Sequence, residues 1–307
     1  MTTTPFGRLA VIADLGAGEV ASKIPEVEAR LDGLGLDHSL NVSRSPQQTT
    51  RLAAAALGEG LRYLVAVGDD GTVQDVVNAI FRAGRPVVED PILAVVPAGT
   101  SCDLARSFGL PLDVEEAVKH LVDDNTYRFD VMKIQVAGQG PERARYAHNL
   151  AYVGMHAAAH TRASALPRWL GNARRFLGFW SAYATSGPRE IKLGIDMRST
   201  TLQAWSVVVG NGQFTDGGMR LSPRSYPGDG VLDVLAFTGP RSDAYRMLPR
   251  IFRHGDHIPD DNIAELRAKI RVGLETSRPM PVVADGRFVG RTPVSIQCVP
   301  QQILLKI

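Results

Sequence analysis

The residues of this chain best suited to chemistry are carboxylates at two strand-to-helix turns. Gly68-Asp69-Asp70-Gly71-Thr72 follows the apolar run YLVAVG and precedes a segment of helical periodicity. Glycines at such a turn let the backbone approach a ligand, and the first turn of a helix offers N–H groups to an anion. Two adjacent aspartates would repel a phosphate unless a metal ion or a hydrogen-bond donor stood between them. A capped, acidic β-α turn accounts for the same five residues equally well, since Asp and Thr both cap helices. The device recurs in Pro97-Ala98-Gly99-Thr100-Ser101-Cys102-Asp103-Leu104-Ala105-Arg106, after the run ILAVV. Here a capped helix with a solvent-facing arginine is the plain alternative. Two such turns should open on one edge of a parallel sheet, where sheets of this kind bind ligands.

The elements that must hold these turns are legible as alternating strand and helix. LAVIAD (Leu9–Asp14), YLVAVG (Tyr63–Gly68) and ILAVV (Ile92–Val96) read as buried strands, with a weaker one at His38–Val42. Helical spacing follows in Val20, Ile24, Val27 and Leu31, in the alanine-rich Thr49–Leu57, in Val73, Val76, Val77, Ile80 and Phe81, and over Asp113–Val122. Unbroken apolar strands alternating with helices predict a doubly wound parallel α/β domain. Near Asp130 the pattern changes to alternating apolar and polar residues. The clearest stretch is Glu265–Val272, and shorter ones lie at Tyr146–Val153, Ile191–Met197, Leu202–Val209, Val231–Phe237 and Pro293–Val299. They predict half-exposed antiparallel strands. The expected division is 1–130 and 131–299, with no Pro/Ser-rich linker between the two.

Composition narrows the function classes. A total of 34 Lys and Arg against 32 Asp and Glu leaves a net charge of +2, which argues against a dedicated nucleic-acid binder. The two cysteines, Cys102 and Cys298, form neither a disulfide framework nor a clustered zinc site, so a reducing, cytoplasmic setting is expected. The opening MTTTPFGRLAVIADLG is unlike a signal peptide, and no run reaches the ~20 apolar residues of a spanning helix. Membrane contact, if present, is then peripheral. Arg162–Tyr183 interleaves Arg168, Arg174 and Arg175 with Trp169, Leu170, Phe176, Leu177, Phe179 and Trp180. It fits a core-packing helix with a solvated arginine face better than an anionic membrane surface, on which such a segment could also lie. His148, His156 and His160 read as isolated structural residues.

Four segments together resemble one family. VGDDGTVQDVVNA (Val67–Ala79) resembles the G-G-D-G-T-x-x-E-x-x-N-G signature of the diacylglycerol and sphingosine kinase superfamily, which includes the NAD kinases. VPAGTSCDLARSFGLP (Val96–Pro111) resembles P-x-G-T-x-N-D-F-A-R-x-L-G-I-P of the lipid kinases. VGNGQFTDGGMRLSPRSYPGDGVLD (Val209–Asp233) is similar to their N-G…G-G-G…P…D-G-x-L-D segment, and VADGR (Val283–Arg287) stands in the place of V-D-G-E. Order and spacing agree over nearly the whole chain.

The resemblance implies an ATP-dependent kinase that phosphorylates a lipid hydroxyl, diacylglycerol-like or sphingoid, with Mg²⁺. It implies a nucleotide site at Gly68, Asp69, Asp70, Gly71, Thr72, Gly99, Thr100 and Asp103. It also implies an acidic network of Asp70, Asp103 and Asp130 around Mg²⁺, and Asp285 as the base for the lipid hydroxyl. A structural Mg²⁺ site is implied at Asp229 with a backbone carbonyl near Val231. The family fold adds a β-sandwich-like second domain and a last strand, about 300–307, that returns to the first. A homodimer is compatible with this reading. Asp-Gly is otherwise a common hairpin turn, and the motif register is what singles out Asp229 and Asp285.

This chain departs from the family pattern at Asp69, Gln74, Asp75, Cys102 and Arg287, where the motifs have Gly, Asn, Glu, Asn and Glu. A catalytically impaired nucleotide- or lipid-binding relative therefore stands beside the kinase reading, as does an enzyme like NAD kinase. A dehydrogenase is a more distant rival. Gly16-Ala17-Gly18-Glu19-Val20-Ala21 approaches a dinucleotide fingerprint, with Asp37 further on, but it leaves the four segments unexplained.

Overall fold

Three apolar runs, each too short for a helix, form the buried centre of a parallel sheet. They are β1 (Leu9–Asp14), β3 (Tyr63–Gly68) and β4 (Ile92–Pro97), buried along their whole length, with the more polar β2 (His38–Ser43) at one edge. The computed structural model describes residues 4–17, 19–99, 101–171, 173–240, 242–253 and 255–307. The chain divides into two compact units. One holds residues up to 131 together with 216–218 and 299–307, and the other holds 132–215 and 219–298.

In the first unit the strand order is β4-β3-β1-β2, all parallel. The end of the last strand, β16 (Val294–Lys306), adds alongside β4, with Leu304 opposite Ile92 and Leu305 opposite Leu93. Strands buried on both faces need helices on both sides. On one side α1 (Val20–Gly33) and α5 (Val114–Lys119) pack Val20, Val27, Leu31, Val114 and Val118 against Val11, Val65 and Ala94. The remaining helices of the crossovers are α2 (Pro46–Gly58), which packs against β1, and α3 (Asp70–Ile80), which packs against β3. The short α4 (Asp103–Ser107) follows β4.

The second unit is a sandwich of antiparallel sheets. One has the order β12-β11-β10-β7-β14-β15. Its strands are β7 (Leu150–Gly154), β10 (Ser206–Gly210), β11 (Leu232–Phe237), β12 (Ile263–Ala268), β14 (Pro281–Ala284) and β15 (Arg287–Arg291). The facing sheet contains β8 (Arg189–Ile195), β9 (Arg198–Ala204), β13 (Arg271–Thr276) and the start of β16. Two further strands, β5 (Thr126–Val136) and β6 (Arg145–Ala147), pair with each other. Val153, Val207, Val209, Val234 and Val282 of the first sheet meet Ile191, Leu193, Val272, Leu274 and Ile296 of the second in one apolar layer. Against the outer face of the six-stranded sheet pack α6 (Met155–Ala165) and α8 (Asp243–Arg253), and α7 (Ala173–Thr185) packs on α6. The fold is the α/β domain plus β-sandwich-like domain that the sequence predicts.

Three expected strands are interrupted. Glu265–Val272 is not one strand: the chain turns at Lys269 and Ile270, so β12 and β13 belong to different sheets. Period-two alternation runs through the corner and hides it. The cause lies 73 to 75 residues away, where the Asp196 carboxylate accepts from the amides of Lys269, Ile270 and Arg271. These bonds, Arg271's first, hold Asp196 below the usual carboxylate range. Leu202–Val209 likewise breaks at Trp205, between β9 and β10, and Tyr146–Val153 breaks at His148 and Asn149, between β6 and β7.

Candidate active site

The glycines of the two β-α turns in the first unit are set by close packing. Gly68 O accepts from the amides of Ala98 and Gly99, each at 3.1 Å, which ties the end of β3 to the loop after β4. A Cβ on Gly99 would lie 2.6 Å from Asp69 Cβ, and one on Gly68 would lie 2.2 Å from Thr72 Oγ1. Neither position can carry a side chain without moving the turn. Asp69 is the N-cap of α3: its carboxylate accepts from the Thr72 amide, and the Thr72 hydroxyl closes a capping box. The amide of Gly71, the second residue of the helix, is not among these bonds. Thr100 lies outside the described residues.

Asp70 and Asp103 are brought together. The Asp70 carboxylate accepts from the Asp103 amide at 2.8 and 2.9 Å and from the Leu104 amide at 3.1 Å, so it caps α4 from the neighbouring turn. Asp103 is buried at the first position of that helix. Its Oδ2 accepts from the Gly217 amide at 3.2 Å, while its Oδ1 accepts no hydrogen bond among the described residues and stands 3.8 Å from Arg106 Nε. Burial, then the charge of Asp70, pushes the Asp103 carboxyl up to about 7. Cys102 sits between the two turns, and burial followed by the Asp70 charge keeps its thiol protonated.

The other residues singled out by sequence hold turns and strand ends. Asp130 is fully buried, and its Oδ1 accepts from the Gln301 amide at 2.9 Å, where Gln301 has a φ of 52°. It pins the returning end of β16. Asp229 is exposed, with its Oδ1 accepting from the Val231 amide two residues on at 2.9 Å, an Asx turn.

Asp285 occupies the turn between β14 and β15 in the second unit, at a φ of 41° that Asp tolerates better than most residues. Its carboxylate accepts from the amides of His148 at 2.6 Å, Leu150 at 2.9 Å and Asn149 at 3.2 Å. His148 Nδ1 stands 3.0 Å from Oδ2, and both side chains are fully enclosed. The Asp285 amide donates back to Leu150 O. A Cβ on Gly286 would lie 3.5 Å from Nε2 of His160 on α6. Sequence reading treated His148 as isolated, and it missed Asn149 and Gly217. The only sign of the first two is a polar His-Asn pair in front of an apolar strand.

An orphaned carboxylate oxygen, buried beside a second carboxylate, suits a hard cation: Asp103 Oδ1 with Asp70 fits Mg²⁺ in donor type. Asp229 offers less, one exposed carboxylate whose Oδ1 already closes its own turn. Among the described residues no three His, Cys, Asp or Glu side chains stand together as a preformed metal cage.

Comparison with known proteins identifies the family of the chain. Residues 8–134 match the diacylglycerol kinase catalytic domain, and residues 149–306 match the YegS C-terminal NAD kinase beta sandwich-like domain. A diacylglycerol kinase of Mycobacterium tuberculosis strain H37Rv is 29% identical over 276 residues, covering 89% of this chain and 85% of that protein. A diacylglycerol kinase of Bacillus subtilis is 25% identical over 272 residues, covering 88% and 86%. In fold, a Bacillus anthracis crystal structure described as a diacylglycerol kinase superposes with a TM-score of 0.72 at 19% identity, covering 99% of this chain and 98% of that one. Yeast NADH kinase superposes with a TM-score of 0.51 at 12% identity, covering 97% and 82%. The chain belongs to the diacylglycerol kinase-like, YegS-like family of lipid kinases.

Proposed function

We propose that this protein transfers the γ-phosphate of ATP to a hydroxyl of a lipid, diacylglycerol-like or sphingoid, with Mg²⁺. The observation that carries the reading is the buried Asp70–Asp103 pair at the ends of two parallel strands, with one carboxylate oxygen left unsatisfied. Mg²⁺, when bound, would neutralise charge on the phosphates as the terminal phosphoryl group moves. Asp103 would hold the ion, and Asp70 fixes Asp103 by capping its helix. The turns at Gly68–Thr72 and Gly99 let backbone come close to the nucleotide. The hydroxyl oxygen bonds to the γ-phosphorus, the bond to the β-phosphate oxygen breaks, ADP leaves, and the hydroxyl proton passes to Asp285. Asp130 anchors β16, and Asp229 shapes its turn.

The enclosure of Asp285 favours a second reading, a relative that binds nucleotide and turns over slowly. Its carboxylate already accepts from three amides and faces His148, so both oxygens are engaged before a hydroxyl arrives. One experiment separates the readings. The protein is incubated with γ-labelled ATP, Mg²⁺ and a panel of hydroxylated lipids in mixed micelles, with NAD⁺ and a chelator in parallel. Labelled lipid that disappears with chelator is the expected result. Label in NAD⁺ alone would move the activity to that of an NAD kinase, and ATP binding without transfer would establish the slow binder.

A further inference from the structure

Four arginines converge on one pocket of the second unit, and no carboxylate meets them there. Arg162 comes from α6, Arg189 from the first position of β8, Arg278 from the loop before β14 and Arg291 from the end of β15. The cavity measures about 330 Å³, and its lining contains no aspartate or glutamate. Separate segments of the chain thus bring cations to a single concave place. Like charges gathered in such a place repel one another, and nothing in the lining offsets them.

Arg189 is the sharpest case. It shares the inward register of the fully buried Ile191 and Leu193 and is itself half-buried. Its side chain makes no hydrogen bond or ion pair among the described residues. Arg278 is likewise left over. Its loop is held by other groups: the Thr276 hydroxyl donates to Arg278 O at 2.8 Å, and the Met280 amide donates to Thr292 Oγ1 at 2.9 Å. Arg162 and Arg291 each commit one nitrogen, Arg162 Nη1 to the carbonyl and hydroxyl of Ser181 and Arg291 Nη1 to Pro279 O. A guanidinium carries five N–H donors, so both keep donors for a ligand. Planar, paired donors of this kind match phosphate oxygens.

The pocket is distinct from the Asp285 turn. β14 runs antiparallel to β7, with Val282 opposite Val153 and Ala284 opposite Ala151. Asp285 therefore sits at the Leu150 end of the pair and the pocket at the Gly154 end, ~13 Å along the strands. On α6, Ala158 and Arg162 line the pocket while His160 lies beside Gly286. Two residues turn a helix by about 200°, so these are opposite faces.

We infer that this pocket is a binding site for a compact polyanion of phosphate chemistry, of which inorganic pyrophosphate is the simplest form. Its volume lies at the low end of small-molecule sites, about 300–1,000 Å³, which suits a short anion of high charge. A lipid phosphate would present the same oxygens with acyl chains attached. The inference does not rest on the kinase reading and is tested by binding rather than turnover, so either can fail alone.

The test is calorimetric titration of the purified protein with pyrophosphate in metal-free buffer, with sulfate and a short-chain phosphatidic acid, dissolved below its micelle concentration, in parallel. The expected result is one pyrophosphate bound per chain, with an affinity that weakens as salt rises. It should fall at least about tenfold in an Arg189→Gln, Arg278→Gln variant. Arg278→Gln with Arg291→Gln, both at exposed positions, should show the same loss even if the first variant folds poorly. Arg128→Gln removes an arginine already paired with Asp90 and should bind as wild type. Absence of pyrophosphate binding by the wild type, or equal binding by the two pocket variants, overturns the assignment. Sulfate bound as tightly as pyrophosphate overturns it too, because the arginines would then only gather counterions. Phosphatidic acid bound in place of pyrophosphate would make the pocket a lipid headgroup site instead.

Discussion

At the scale of single residues, the two carboxylates that matter most are held in opposite ways. Asp103 is under-satisfied: burial and the Asp70 charge push it up to about 7, and its Oδ1 has no donor. Between about pH 4 and 7 the folded protein keeps a proton there that the unfolded chain releases. Stability from this group is therefore present below the unfolded value and declines as pH rises through 7. Mg²⁺ needs the deprotonated form, so its affinity should rise over the same window. Asp103→Asn should raise the melting temperature at pH 8 without Mg²⁺, change it little at pH 4, and abolish stabilisation by Mg²⁺ with ATP. Unchanged Mg²⁺ stabilisation in a thermal melt would take Asp103 out of the metal site. Asp285 is over-satisfied, accepting from three amides beside His148. Asp285→Asn keeps a residue that tolerates positive φ but loses the charge that gathers those amides. It should abolish turnover and also cost about 2–4 kcal/mol of stability, since hydrogen bonds to a charged group are worth about 1.5–3 kcal/mol. Denaturant unfolding showing full stability would mean that the carboxylate is not the anchor the geometry makes it. The motif at 283–287 pointed to Asp285, but the enclosure around it comes from residues 135 positions away and has no local signature.

At the scale of elements, what was legible followed from periodicity and what was not followed from distant capping. The buried strands β1, β3 and β4 are apolar along their full length and could be read directly. The corner between β12 and β13 could not, because Asp196 creates it from another hairpin without disturbing the alternation of residues 265–272. The same holds for the active turns. The glycines were visible in the sequence, but only the structure gives Gly99 its reason, the 2.6 Å approach to Asp69 Cβ. Gly99→Ala should therefore push the two turns apart. The Asp69 amide nitrogen, 3.0 Å from the new carbon, belongs to backbone and cannot swing aside. Overpacking of this kind costs about 1–3 kcal/mol, and ATP affinity measured by calorimetry should fall with it. Gly58→Ala, at the end of α2 with nothing within 4 Å of its added carbon, should be neutral or slightly stabilising. Equal behaviour of the two variants would remove the steric account of Gly99.

At the scale of the whole molecule, the first unit is completed by nine residues from a distant part of the chain. Residues 299–307 belong to it, though 160 or more residues separate them from its other main segment. Their attachment is dense. Leu304 and Leu305 extend the parallel sheet beside Ile92 and Leu93, and the Leu304 amide donates to Pro91 O. Gln301 donates its amide to the buried Asp130, and Lys306 reaches Asp123 and the carbonyl of Asn125. Leu305 is fully buried. Leu305→Ala should cost about 2–5 kcal/mol, as large-to-small changes in a core do. The location of the damage tests the assignment more sharply than its size. Local openings follow the cooperative unit whose contacts are lost. Hydrogen exchange should therefore quicken in β1, β3 and β4, at the opposite end of the sequence. Leu274→Ala, equally buried but in the sandwich layer, should instead quicken β8 and the start of β16. Faster exchange in the sandwich with β3 and β4 still protected in the Leu305 variant would show that the returning strand is an appendage, and that the turns at Gly68 and Gly99 stand on residues before 132 alone.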